Sequence, residues 1–328
     1  MGKFRAFVTL VLGAALAWPA LAQPSGVIRL YTSQPSDQIA AATEAFSKLH
    51  PGVKVEVFRS GTTEIMNKLQ AEFAAGRPQA DVVLLADDVA MTQLKNDGRL
   101  LPYPDAPLRN VPVGLVDADK TFFGTKLITT GIVYNTNLVR SRPNSWNDLL
   151  APEVASKTIL PSPLYSGAAV IHLGTMVQQP EFGWKYVETL AKNHAMAGRG
   201  NGAVIEAVAR GEKAYGIIIE YMAMNAKAKG SPVDFVFPVE GVSVITQPVA
   251  ILKTTRNPEA AKAFVAWQLS EEAQQQSIGQ GYFPINPTMT PPSGYPEVSK
   301  LKLLKSNTDE LLRTDEENKL KFSELFGG

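Results

Sequence analysis

The sequence contains no cysteine, and this absence excludes several kinds of chemistry. Thiol nucleophiles, thiolate zinc sites and iron–sulfur clusters all require cysteine side chains. Disulfide bonds are excluded too, so the 328-residue chain must be stabilised by the size of its apolar core. Its hydrophobic content of 45% is sufficient for two domains or for one domain with two cores.

A strong net charge is also absent. The 32 lysines and arginines nearly balance the 31 acidic residues, which leaves a formal net charge of +1. No basic stripe is present, so the sequence predicts neither nucleic acid nor an anionic membrane surface as a partner.

Groups that could support catalysis are scarce. His50, His172 and His194 fall in separate predicted elements, without the spacing of metal ligands. The lysine of a phosphate-binding loop is missing, and no nucleophile is paired with a base. We therefore expect neither an enzyme nor a cofactor. A secreted hydrolase is the alternative, and the missing nucleophile–base pair argues against it.

One apolar run, from Phe7 to Trp18, follows a basic start and precedes Ala20-Leu21-Ala22. This order is typical of a cleaved secretory signal over residues 1–22. The run is too short to cross a bilayer comfortably, since a span needs about 20 residues. We expect a soluble periplasmic protein, for which capture of a solute from the medium is a leading function.

Two parts of the remaining chain alternate between strand and helix patterns, which predicts two α/β lobes. Strands are predicted at 27–32, 53–58 and 81–86 in the first part, and at 158–160, 214–219 and 233–237 in the second. Two extended stretches, 123–135 and 241–252, connect the parts. The prediction is two Rossmann-like lobes with a hinge of two crossings, residues 23–125 plus 247–328 forming one lobe and 126–246 the other.

The segment Arg59-Ser60-Gly61-Thr62-Thr63-Glu64 lies between a predicted strand and a predicted helix. Hydroxyls and free N–H groups at a helix N-terminus form an anion site, which the helix dipole strengthens. Gly61 allows the backbone to approach a ligand closely. Ordinary capping by Ser60 or Thr62 is the alternative.

A matching junction, with Ser166, Gly167 and Ala168, opens a helix in the second lobe. Open α/β sheets bind ligands at such junctions, so two helix N-termini facing each other across a cleft predict a site for an oxyanion. Ser33, at the end of the first strand, is a further candidate hydroxyl. Gly200-Asn201-Gly202 is interpreted as a turn.

Glu220 and Tyr221 follow the strand at 214–219, where a carboxylate beside an aromatic ring suits an ammonium group. A surface glutamate next to a half-buried tyrosine is the alternative. Asp87 and Asp88 hold the same position in the first lobe, one expected to face the cleft and the other to cap a helix.

Ten segments together resemble the periplasmic solute-binding proteins of ABC importers, over residues 27–286. The segments are LYTSQPSD, VFRSGTTEIMNKLQAE, DVVLLA, GIVYNTNLV, SWNDLLAP, PSPLYSGAA, ARGEKAYGI, FPVEG, AAKAFVAWQLSEEAQ and the N-terminal signal. The resemblance is to the ferric-iron-type branch, which also contains binders of 2-aminoethylphosphonate and of sugar phosphates. It implies two lobes that close on a ligand. It also implies an ABC permease as partner. A cleft that must open also favours a monomer.

Within this branch the chain is most similar to the aminophosphonate binders. They share the Ser/Thr-rich loop, a P-x-x-S-G segment, an E-Y pair and a downstream F-P-x-E-G, here Phe237 to Gly241. The resemblance implies 2-aminoethylphosphonate as ligand, with its anion at the two Ser/Gly loops and its amine at Glu220. Tyr221 and Asp87 would line the rest. Met222 departs from the arginine that often follows E-Y.

Ferric iron is the alternative ligand, with Tyr134, Glu220 and Tyr221 as donors. Iron binders of this branch carry two adjacent tyrosines where this chain has Glu220-Tyr221, and many carry a histidine near the position of Pro35. A sugar phosphate is a third possibility, because it offers the same anion without the amine.

Overall fold

The computed structural model describes residues 23–327, so the predicted signal at 1–22 lies outside the described residues. The strands are β1 (Gly26–Thr32), β2 (Val53–Arg59), β3 (Val82–Leu84), β4 (Phe122–Gly124), β5 (Ile128–Asn135), β6 (Thr158–Pro161), β7 (Met196–Gly198), β8 (Tyr215–Ile219), β9 (Val233–Val236), β10 (Val244–Ile245) and β11 (Pro248–Ile251). The helices are α1 (Ser36–Leu49), α2 (Thr62–Ala74), α3 (Asp88–Asn96), α4 (Pro152–Ala155), α5 (Gly167–Gln178), α6 (Gly183–Lys192), α7 (Asn201–Ala209), α8 (Glu220–Ala228), α9 (Pro258–Gln268), α10 (Glu271–Gly279) and α11 (Thr308–Phe326).

Apolar side chains at helical spacing anchor the first helices to the first sheet. Helix α1 buries Ile39, Ala42 and Phe46, and α2 buries Ile65 and Leu69. This spacing places the buried residues on one face, and their removal from water stabilises the packing. The same pattern predicted both helices from the sequence.

The first sheet has the strand order β2-β1-β3-β11-β4. Strand β1 is parallel to β2 and β3, whereas β11 is antiparallel to β3 and β4. The register places Thr32 opposite both Arg59 and Leu84. The carboxyl ends of three parallel strands therefore meet at one edge of this sheet.

The second sheet has the order β10-β5-β8-β6-β7, with β9 also paired to β5. Strand β6 is parallel to β7 and β8, and Pro161 lies opposite Gly198 at the carboxyl ends. Two lobes, each with its own sheet and helices, confirm the predicted α/β fold class.

Two short segments connect the sheets. Residues 125–127 join β4 to β5, and residues 246–247 join β10 to β11. The Thr125 hydroxyl donates a hydrogen bond of 2.7 Å to the main-chain oxygen of Gln247, so the two crossings are tied together. The exact lobe boundaries stay a prediction. The chain passes from one sheet to the other at residues 125–127 and 246–247, within the two extended stretches predicted to connect the lobes.

Helix α11 lies against both lobes. Its Leu311 and Phe322 are buried in cores of the second lobe, where α11 packs chiefly on α5, and it also contacts α3 of the first sheet's lobe. The segment 247–328, predicted to lie with the first lobe, thus ends in a helix that spans both. Within residues 23–327, no helix has the length and hydropathy needed to cross a membrane.

Candidate functional site

A cavity of about 650 Å³ lies between the two lobes. Residues that follow the strands of both sheets line it, among them Ser33 after β1, Ser60 after β2, Arg199 after β7 and Tyr221 after β8. We call it the cleft cavity. Its position at the carboxyl ends of the parallel strands is the one at which open α/β sheets bind ligands.

Five helices begin at the wall of the cleft cavity: α1, α2, α5, α7 and α8. Pro35, Gly61, Gly200 and Ile219, at the N-cap positions of four of them, offer no side-chain acceptor to the first turn. The N–H groups at a helix N-terminus lack partners within the helix, and the helix dipole adds partial positive charge there. These N-termini bring partial positive charge to the cavity wall, an arrangement that is chemically suited to an anion.

Two arginines and two glutamates also line the cleft cavity: Arg59, Arg199, Glu64 and Glu206. The Arg199 guanidinium pairs with the Glu64 carboxylate of the opposite lobe and lies 5.3 Å from the centroid of the Tyr165 ring. Hydrogen bonds from the Ser60 hydroxyl and then from Arg199 lower the pKa of Glu64. Because the side-chain charges balance, the helix N-termini supply the excess positive potential.

Close contacts show that the lobes touch across the cleft. A Cβ atom on Gly167 would stand 2.7 Å from Asp87 Cβ, 2.8 Å from the Ala86 oxygen and 2.9 Å from Thr62 Oγ1. The Thr63 hydroxyl donates a 3.1 Å hydrogen bond to the Pro163 oxygen of the other lobe. The structure thus has the lobes closed on the cavity.

The structure brings eight of the eleven predicted site residues to the cleft cavity. They are Ser33, Ser60, Gly61, Thr62, Ser166, Gly167, Ala168 and Tyr221. The Thr62 hydroxyl is buried and has no hydrogen-bond partner among the described residues. The Ser166 hydroxyl caps α5 by accepting from the Ala169 N–H at 3.3 Å.

The carboxyl group of Glu220 does not line the cavity. It is fully buried, and its Oε2 accepts hydrogen bonds from the N–H of Thr129 at 2.5 Å and from the Thr129 hydroxyl at 3.1 Å. Burial raises its pKa to about 8. The predicted contact between this carboxylate and a ligand amine is therefore not available in this arrangement.

Thr63 and Asp87 also lie outside the cleft cavity. Both line a separate groove of about 740 Å³, to which α11 contributes a wall. The Asp87 carboxylate caps α3 by accepting from the N–H groups of Val89 and Ala90, and burial raises its pKa to about 8. The Asp88 carboxylate accepts a hydrogen bond from the Thr246 hydroxyl. Neither Asp87 nor Asp88 therefore faces the cleft cavity, although one of the two was predicted to do so.

The donors predicted for iron do not converge. Tyr134 is buried in a core of the second lobe, and among the three donors only Tyr221 lines the cavity. Burial raises the pKa of Tyr221, whose ring lies 4.3 Å from that of Tyr282. Within the described part of the chain, no group of three or more His, Asp or Glu residues is placed to hold a metal ion.

Several lining residues escaped the sequence prediction, above all Arg199, Asn201, Gln34 and Gln247. The turn predicted at Gly200-Asn201-Gly202 is in fact the N-terminus of α7. The signal was present, since a glycine at the N-cap position directly precedes an amphipathic helix pattern. Gln247 carried no signal, because its place depends on the path of the chain between lobes.

Comparisons with known proteins identify the same architecture. The periplasmic binding protein AfuA from Actinobacillus pleuropneumoniae, with exogenous fructose-6-phosphate bound, has a TM-score of 0.83 at 23% identity, over 92% of this chain and 99% of that chain. Iron-bound HitA from Pseudomonas aeruginosa has a TM-score of 0.79 at 21% identity, over 90% and 99% of the two chains. At these sequence identities, the similarity to the two structures supports a shared fold and does not extend to a shared ligand.

A curated relative is similar in sequence over most of the chain. The probable ABC transporter periplasmic-binding protein y4fP of Sinorhizobium fredii is 25% identical over 300 residues, covering 86% of this chain and 80% of that protein. The family model described as bacterial extracellular solute-binding protein matches residues 32–275. Membership implies a small ligand, an ABC permease as partner and a periplasmic location, and the chain belongs to the bacterial extracellular solute-binding protein family.

Proposed function

We propose that this protein captures a small organic phosphate or phosphonate and presents it to an ABC permease. The observation that supports this most strongly is the convergence of five helix N-termini on one cavity, four of them without a side-chain cap. A phosphoryl group offers several acceptor oxygens and negative charge, which matches open N–H groups at the positive ends of helix dipoles.

In this proposal the anion binds between the two lobes. In the first lobe it contacts Ser60, the N–H groups after Gly61 and the Thr62 hydroxyl, which has no partner among the described residues. In the second it meets the start of α5 at Gly167 and the start of α7 beside Arg199. Because only the closed arrangement brings both sets together, ligand binding favours closure of the hinge.

The organic part of the ligand occupies the remaining volume. A cavity of about 650 Å³ is far larger than a single metal ion requires and falls in the range typical of small organic ligands. This supports an organic anion over ferric iron. 2-Aminoethylphosphonate stays the predicted ligand, with Glu206 rather than Glu220 as the cavity carboxylate that could receive its amine.

A sugar phosphate is the second candidate, and one observation favours it. The cavity presents the neutral amide side chains of Gln34, Asn201 and Gln247, which suit hydroxyl groups. The two candidates share the anion site and differ in the group at the opposite end of the ligand.

A thermal-shift screen of the mature protein tests the proposal. The panel contains 2-aminoethylphosphonate, glucose 6-phosphate, inorganic phosphate and Fe³⁺ with citrate. A ligand at about 100 times its Kd adds about 2.7 kcal/mol of stability, which raises the Tm by a few degrees in a protein of this size. We expect a shift with at least one organic phosphorus compound. A shift with iron citrate alone would refute the proposal.

A further inference from the structure

Gln247 occupies an unusual position at the second crossing between the lobes. It lies between β10 of the second sheet and β11 of the first, directly before Pro248. Only 2% of its surface is exposed, and yet it lines the cleft cavity. One residue therefore belongs both to the hinge and to the ligand site.

The backbone of Gln247 is strained. Its φ is +24°, a backbone conformation that residues other than glycine rarely adopt. The main-chain oxygen of Gln247 accepts the 2.7 Å hydrogen bond from Thr125, which holds this conformation against the other crossing. Such strain persists only where surrounding contacts hold it.

The side-chain oxygen of Gln247 lacks a hydrogen-bond partner among residues 23–327. This Oε1 atom is buried. A buried polar atom without a partner lowers stability, since it has lost its hydrogen bonds to water. A hydroxyl or ammonium group of a ligand in the cleft cavity would satisfy it.

We infer that Gln247 recognises a hydrogen-bond donor on the organic part of the ligand and that this contact stabilises its strained hinge conformation. Gln247 then contributes both to recognition of the ligand and to closure of the lobes. The inference rests on the proposed function for the identity of the ligand. The hinge role can be tested without any ligand.

Two substitutions separate the roles, because both remove the amide but only one removes the strain. Alanine at position 247 keeps the unfavourable φ, whereas glycine adopts positive φ readily. We expect Gln247→Ala to lower the affinity for glucose 6-phosphate or 2-aminoethylphosphonate about 10-fold, the usual effect of losing one buried hydrogen bond. Affinity for inorganic phosphate, which has no organic end, should stay unchanged in Gln247→Ala.

Gln247→Gly should favour the closed form in the absence of ligand. Small-angle X-ray scattering of the ligand-free proteins should give a smaller radius of gyration for Gln247→Gly than for wild type or Gln247→Ala. Calorimetric titration should give tighter binding to Gln247→Gly than to Gln247→Ala. Gln268→Ala removes a buried amide in α9, outside the cleft cavity, and is the matched control.

Two results would overturn the inference: wild-type affinity of Gln247→Ala for the organic phosphorus compounds, or identical radii and affinities for the alanine and glycine variants. If no phosphorus compound binds the wild-type protein, the proposed function fails. The scattering comparison then still decides whether Gln247 controls the hinge.

Discussion

At the residue scale, the absence of a side chain at Gly167 is what allows the lobes to close. Any Cβ there would enter the space held by Asp87, Ala86 and Thr62 of the other lobe, at 2.7–2.9 Å. A contact this short forces one lobe away from the other, and its three nearest atoms all belong to the first lobe.

We predict that Gly167→Ala weakens ligand binding by about 10-fold to 100-fold, since overpacking of this kind typically costs about 1–3 kcal/mol. The unfolding midpoint without ligand should change little if the lobes open freely. Gly279→Ala is the control, because nothing lies within 4 Å of the added Cβ there. Equal affinities of the two variants, measured by calorimetry, would contradict closure at Gly167.

Lys126 is a buried lysine in the first crossing between the lobes, residues 125–127. Its Nζ donates to Gln34 at 3.3 Å and lies 4.9 Å from the Tyr282 ring, and burial lowers its pKa from 10.5 to about 7. Between pH 7 and 10.5 the unfolded chain therefore binds the proton that the folded protein has lost. Its contribution to stability rises with pH through this window.

We predict that Lys126→Met stabilises the protein most below pH 7, where the wild type carries the buried charge. The advantage should shrink by up to about 1.4 kcal/mol per pH unit as the pH rises from 7 towards 10. Urea unfolding at pH 6 and pH 9 measures this, with the exposed Lys229→Met as control. An advantage independent of pH would show that Lys126 is not a buried titrating group.

Glu220 has the opposite dependence. Burial raises its pKa from 4.5 to about 8, so the folded protein holds a proton that the unfolded chain releases between these values. Its contribution to stability falls as the pH rises through this window. Glu220→Gln should flatten that fall and leave the affinity for 2-aminoethylphosphonate within about 2-fold of wild type. A loss of affinity specific to amine-bearing ligands would restore the predicted amine role.

At the element scale, the N-termini of helices contribute to the stability of the fold through their caps, and several of them also line the cleft cavity. Ser166 caps α5 at the cleft cavity and Ser270 caps α10 away from it, and the hydroxyls accept from Ala169 at 3.3 Å and from Ala273 at 3.2 Å. Both serines cap a helix, so Ser270 is a control for the loss of an N-cap. The Ser166 hydroxyl also accepts a 3.1 Å hydrogen bond from the Asn201 side chain at the start of α7.

Ser166→Ala and Ser270→Ala should each lower stability by about 0.5–2 kcal/mol, the usual effect of losing an N-cap. Only Ser166→Ala should also weaken binding of the organic phosphorus ligand. Urea unfolding and calorimetric titration of both variants provide the two readouts. Unchanged ligand affinity in Ser166→Ala would remove α5 from the anion site.

The sequence predicted the elements that repeat a strong pattern. Alternating strands and amphipathic helices identified the βαβ order of both lobes, because burial of one face requires that spacing. The sequence was less informative about the exact start of α7, which was interpreted as a turn, and about the neighbours of α11, whose segment was assigned to the first lobe. The packing of α11 does not follow from local spacing, since this helix contacts both lobes.

At the scale of the whole molecule, the closed arrangement explains which of the predicted site residues line the cleft cavity. Loops after strands β1, β2 and β6 had to reach the cleft because the sheets direct their carboxyl ends there. The direction of Glu220 was not predictable, since a side chain at the first position of a helix can turn to the ligand or to the core. Here Thr129 of the neighbouring strand holds it in the core.

Calorimetric titration with ligand pairs that differ only in the phosphorus group tests whether the cleft cavity recognises an organic phosphorus compound. Glucose 6-phosphate is compared with glucose, and 2-aminoethylphosphonate with ethylamine. We predict measurable binding of at least one phosphorus compound and at least 100-fold weaker binding of its counterpart, because the proposed anion site is formed by the helix N-termini. Equal binding of both members of a pair, or binding of iron citrate alone, would contradict this prediction.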